Sequence, residues 1–219
     1  DALVGTANTP HVDRPFGPTT GRVNKVVDHV PSSAIALIAG NDVGSTLEGA
    51  FAELGKDPST KDMVDGIDGI AGVFGGVPDA VGWIGDAGLV IDQAGSELEG
   101  GLVIVPTDPA KATKFFTTLK SFIALGGSTA GLTVRDEAYG DATITIVSVD
   151  LDSLGAMAGA MTGGASGGAT DGMSLPTGKL ELAYAVTDDV VVIGSSPAFV
   201  KRVLDTDAGT SLASDATFT

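Results

Sequence analysis

The chain contains no cysteine. That excludes disulfides, thiolate metal sites and cysteine nucleophiles. Aromatic residues are scarce, at 5 % with one Trp, so the core has to be aliphatic. Histidine occurs twice, as His11 and His29. No His-Glu-x-x-His spacing supplies either with a partner, and both read as surface residues. Basic residues are few: 12 Lys and Arg against 28 Asp and Glu give a net charge of −16. A field of that sign repels phosphate backbones and anionic membrane surfaces, so nucleic acid is excluded as an expected partner. It favours solubility and holds cations only loosely. No apolar run is long enough to span a bilayer. The chain opens at Asp1 without Met. It reads as a processed or excised piece, with any membrane anchor expected outside it.

Within 219 residues, 43 % hydrophobic content is ample for a packed core. Residues 1–20 hold Thr9-Pro10, Arg14-Pro15 and Gly17-Pro18, the composition of a linker or arm. Residues 21–219 read as a single α+β domain. Val23, Val26, Val27 and Val30 predict a short helix stopped by Pro31. Ala34 to Ala39 predicts a strand, and Leu47, Ala50, Phe51 and Leu54 mark a helix face ending near Gly55. Met63, Ile67, Ile70 and Phe74 step by four, three and four, which predicts one buried helical stripe with Asp62, Asp65 and Asp68 outside it. Gly66, Gly69 and Gly72 weaken that helix and are expected to let it pack closely on a sheet. A further helical turn is predicted from Asp79 to Ile84.

Strands follow at Ala87 to Ile91 and Gly101 to Val105. Asp108-Pro109 then opens a helix with Ala112, Phe115, Phe116, Leu119 and Phe122 on its apolar face. Leu132 to Asp136 and Thr143 to Val149 are strands across the Tyr139-Gly140-Asp141 turn. Leu180 to Val186 and Val190 to Ile193 form a hairpin across Thr187-Asp188-Asp189, and Ser196-Pro197 opens a last helix. A strand passing through an oxygen-bearing cap into Pro and a helix thus occurs twice. Short loops between paired strands argue against a doubly wound parallel sheet, which needs a crossover after each strand. The expected architecture is an antiparallel β-sheet with helices packed mainly on one face. Residues 155–173, rich in Gly and Ala, are expected to form a flexible insert.

Motifs that carry chemistry are missing. "GASGG" (164–168) approaches a nucleophile elbow but lacks the strand before it and a partner His. No Gly-x-x-x-x-Gly-Lys-Ser/Thr loop is present. The acidic groups Asp62/Asp65/Asp68, Asp150/Asp152 and Asp188-Asp189 do not follow EF-hand spacing and read as turn formers. No catalytic residue, metal site or cofactor is therefore assigned. Trp83, in "WIGD", is the one candidate ligand platform, although a lone Trp near glycines is more often a core anchor.

Five segments, in order, carry a likeness: "VPSSAIALIAG" (30–40), "WIGDAGLVI" (83–91), "TDPAKATKFFTTL" (107–119), "LAYAVTDDVVVIGSSPAFVKRVLD" (182–205) and "SLASDATF" (211–218). Together they resemble landmarks of the bacterial domain of unknown function DUF3352 over most of residues 22–218. The Gly-rich insert at 155–173 departs from the short link found there in the family. The resemblance implies an exported or membrane-anchored bacterial protein with successive copies of this module, so neighbouring copies are expected partners. Low Lys and Arg with abundant Gly, Ala, Thr, Ser and Asp agrees with an extracellular or cell-surface location. No catalytic residue carries over. The expected function is a non-enzymatic cell-envelope scaffold or binding surface. The alternatives are a small-ligand-binding domain, with the groove beside Trp83 and the 155–173 loop as lid, and a hydrolase with unrecognised carboxylates.

Overall fold

The computed structural model describes residues 23–94, 97–126, 131–150, 178–207 and 209–215. The expected arm at 1–20, His11, "GASGG" and the 155–173 insert lie outside the described residues. In chain order the elements are β1 (Ala34–Gly40), α1 (Val43–Leu54), α2 (Lys61–Ala71), α3 (Val77–Val81), β2 (Ile84–Ala94), β3 (Glu97–Pro106), α4 (Pro109–Gly126), β4 (Leu132–Tyr139), β5 (Ala142–Asp150), β6 (Lys179–Val186), β7 (Val191–Gly194) and α5 (Pro197–Leu204). Short 3-10 turns occupy Lys25–Asp28, Gly72–Phe74 and Leu212–Ser214.

The seven strands form one sheet in the order β1-β2-β3-β7-β6-β5-β4, every neighbouring pair antiparallel. Local hairpins make β2–β3, β4–β5 and β6–β7. The central seam, β3 against β7, joins distant segments and pairs Leu102 with Ile193 and Val103 with Val192.

Strand alternation divides the buried side chains into two cores. Val90, Val103, Val192, Ala185 and Ile144 point to one face, where Phe199, Val200 and Val203 of α5 cover them with Val26 and Val30. Ile104, Val191, Tyr184 and Val147 point to the other, under Ala112 and Phe116 of α4 and beside Trp83. The protein is thus α+β around an antiparallel sheet, with α1 to α4 on one face. The two Pro-opened helices, α4 and α5, take opposite faces. Both start as their sequences direct: Asp108 Oδ1 accepts from Lys111 N at 3.0 Å, and Ser196 Oγ from Phe199 N at 3.0 Å.

Three local readings change. The valine-rich start is a single 3-10 turn capped by Asn24, because β-branched residues and Pro31 leave no length for an α-helix. The helix predicted from Asp79 to Ile84 instead ends at Val81, and Ile84 already pairs with Pro106 at the head of β2. Phe122 points to solvent, at 60 % exposure, while Ile123 packs inward in its place.

Candidate functional site

The predicted stripe on α2 does not reach the core. Met63 and Ile70 are 52 % and 70 % exposed, and Ile67 and Phe74 are half-buried. A Cβ at Gly66, Gly69 or Gly72 would meet nothing within 4 Å. These glycines therefore do not bring α2 close to the sheet, contrary to the packing role expected of them. The helix stands off instead, and a cavity of about 370 Å³ lies beneath it.

Sheet residues Leu102, Ile104 and Ile193 form the cavity floor, and α1, α2, α3 and α4 form its walls. Every lining side chain is hydrophobic. The wall toward α4 is an aromatic cluster: Phe74 stacks on Phe115 at 4.6 Å between centroids, and Phe115 meets Phe116 edge-on at 5.3 Å. Trp83 lies 5.8 Å from Phe115 and 5.9 Å from Phe116, and Phe116 continues to Tyr184 at 4.7 Å. In a chain with eight Phe, two Tyr and one Trp, five rings converge here.

Trp83 is placed as a core anchor. It is only 2 % exposed, and its indole N–H donates to Ala80 O at 2.9 Å, which fixes the ring at the end of α3. It also lines the cavity. The wall residues Phe51, Phe115 and Ile67 were not singled out as site residues. Their only sequence signal is membership of three separate amphipathic faces, and nothing local shows that those faces meet around a void.

A second cleft, of about 640 Å³, is polar. It lies between the Tyr139–Thr143 turn, the Thr187–Asp189 turn and the end of α5, and holds Asp141, Asp188, Asp189 and Asp205. Tyr139 Oη donates to Asp205 Oδ2 at 2.7 Å. The "DMVDGIDG" aspartates lie on exposed α2, where Asp65 pairs with Lys61 at 2.8 Å. Among the described residues no three His, Asp or Glu side chains are placed to share a metal ion.

Buried carboxylates do occur, on the face opposite the cavity. Asp92 and Glu99 sit opposite one another in the β2–β3 register. Both bind Arg202 of α5 rather than each other. Asp86 accepts from Lys25 N at 3.0 Å and Asp42 N at 3.3 Å, tying the first turn to β2. These groups are structural cross-links, and they do not line the cavity.

His29 is half-buried among Asp28, Thr206, Asp207 and Ser211. Burial lowers its pKa below 6.5, outweighing the pull of Asp28 and Asp189 in the other direction. As pH falls below 6.5 the unfolded chain takes up the proton first, so native stability is lost through the folded value. His29→Gln should flatten the fall in urea midpoint between about pH 8 and about pH 5. An unchanged slope in the variant would contradict this assignment.

No protein-family model, curated protein or solved structure matches the chain. The functional reading therefore rests on the geometry just described. No helix among the described residues is long and apolar enough to cross a membrane.

Proposed function

We propose that this chain is a small-ligand-binding domain that takes an uncharged, apolar molecule in the cavity beside Trp83. The observation that carries the reading is a cavity of about 370 Å³ whose lining is apolar throughout. Its size falls in the range of small-molecule sites. Left empty, its apolar walls face water and lack the packing contacts of a filled core. An apolar occupant offsets such a cost, and the absence of polar partners in the wall selects against charged ligands. None of the lining residues carries a group that could activate a bond in the occupant, so binding rather than turnover is the proposed task. The DUF3352 resemblance supplies the proposed setting, an exported protein of the cell envelope.

The single Trp makes the site its own reporter. N-phenyl-1-naphthylamine, a neutral apolar dye, should bind saturably and accept energy from Trp83. Ala71→Phe, which fills the cavity from α2, should weaken binding at least about tenfold. Absence of saturable transfer, or equal binding by Ala71→Phe, would refute the reading.

A further inference from the structure

The two edges of the sheet are built differently. β4, at one edge, carries Arg135, Asp136 and Glu137 in mid-strand. Charges of this kind prevent edge-to-edge pairing. β1, at the other edge, reads Ala-Ile-Ala-Leu-Ile-Ala-Gly, with no charge and no proline. Its register slips once, between Ala34 and Ala36, and is regular from there to Gly40. Ile35 and Ile38 are 54 % and 74 % exposed. Among the described residues no strand pairs with the outer side of β1.

We infer that the β1 edge is a self-association surface on which a second copy of this chain adds its own β1, antiparallel, across a two-fold axis. The occupant follows from charge and closure. With −16 on each chain, copies repel wherever carboxylates are dense, and β1 carries none. Pairing β1 with β1 is isologous, so it closes after two copies and leaves both charged β4 edges outside. Pairing β1 with β4 would set Arg135, Asp136 and Glu137 beside Ile35 and Leu37 and would propagate as an open filament. A two-fold normal to the sheet also keeps its faces aligned. Ile38 would then lie near its counterpart, and its cross-strand neighbour Leu89, with Ile91 opposite Ala36, would extend the apolar strip one strand further on each side. Main-chain hydrogen bonds supply the attraction and these side chains the register. One seven-residue strand per copy is a small interface, so the dimer is weak and concentration-dependent.

The test is sedimentation equilibrium on the full chain from about 1 µM to about 300 µM, a range that spans a micromolar dimer. The average mass should rise toward twice the monomer value. Ile38→Lys should weaken the dimer at least about tenfold, and Phe122→Lys, at an exposed site on α4, should leave it unchanged. A monomer at every concentration, or a dimer indifferent to Ile38→Lys, overturns the inference. So does a chain that dimerises only after residues 1–22 are removed, since the edge would then belong to that segment. None of these outcomes bears on dye binding in the cavity.

Discussion

Phe199→Ala should destabilise the protein by about 3–5 kcal/mol, read as a shift in urea midpoint at unchanged m-value. Phe199 is fully buried in α5, directly over the central seam of the sheet. Its ring occupies space left by two glycines that face each other in register, Gly101 and Gly194. A Cβ built on Gly194 would lie 2.6 Å from Phe199 Cδ1, and one on Gly101 would lie 2.7 Å from Cε1. The slot is therefore shaped to the ring, and removing the ring leaves a void that rigid strands cannot close. Phe122→Ala, on the exposed side of α4, should change stability by no more than about 0.5 kcal/mol. Gly194→Ala should itself destabilise, because the new methyl collides with the ring. Combined with Phe199→Ala it should cost less than the sum of the two, since the collision partner is gone. Strict additivity would show that the slot can relax and that the packing account is wrong.

The residues over which this argument runs were partly legible beforehand. Ser196-Pro197 and Asp108-Pro109 mark helix starts by local chemistry alone, and both helices begin there. Hairpins were legible for the same reason, since Tyr139-Gly140-Asp141 and Thr187-Asp188-Asp189 encode their turns locally. The antiparallel α+β class follows from such local signals. Helices were expected mainly on one face, and the covering of the second by α5 was not anticipated, although one strand carries its mark. Val190 to Ile193 is apolar at every position, the mark of a strand buried on two sides rather than one. The pairing of β3 with β7 leaves no such mark, because it is set by which apolar surfaces fit once the hairpins exist.

The cavity was the least legible part. Periodicity marked Met63 to Phe74 as one buried helical stripe, but the α-helix ends at Ala71, Phe74 falls in the 3-10 turn after it, and Met63 and Ile70 are exposed. Periodicity could not say how far that face stands from the sheet. The distance depends on Phe115, Phe74 and Trp83, which prop the helical layer away from Leu102 and Ile193. Trp83 stood out only as the single Trp, and its place in the wall is a product of α3 ending at Val81. The buried carboxylates were likewise invisible. Asp86 and Asp92 look like any other members of an acidic chain until strand alternation turns them to the inner face.

Arg202→Met should cost about 3–5 kcal/mol, because it strands a carboxylate that water cannot reach. The Asp92 side chain is 0 % exposed. It accepts from Arg202 Nε at 2.8 Å and from Gln93 N at 2.9 Å. The same guanidinium donates through Nη2 to Glu99, whose other oxygen accepts from Ser196 Oγ at 2.6 Å. Ser196 in turn caps α5, so one cation ties the β2–β3 hairpin to the start and the last turn of the helix. Arg202→Lys should recover only part of the loss, since a single ammonium cannot reproduce the two-pronged geometry. Adding Asp92→Asn to Arg202→Met should recover more, because it removes the stranded charge itself. By contrast Lys61→Ala, which breaks an exposed pair with Asp65, should cost no more than about 0.5 kcal/mol.

The sign of the pH dependence separates this account from simple loss of packing. Burial pushes the Glu99 carboxyl up, but the Ser196 hydroxyl and Arg202 together hold it below its ordinary value of 4.5. The unfolded chain therefore protonates first, and the wild-type protein loses this contribution as pH falls from about 4.5 through the folded value. In Arg202→Met the cation is gone and burial remains, so protonation relieves the Glu99 carboxylate. The stability gap between wild type and variant should narrow steadily below about pH 4.5. A gap constant with pH would mean that Arg202 acts through its aliphatic stem alone, and the ion-pair account would fall.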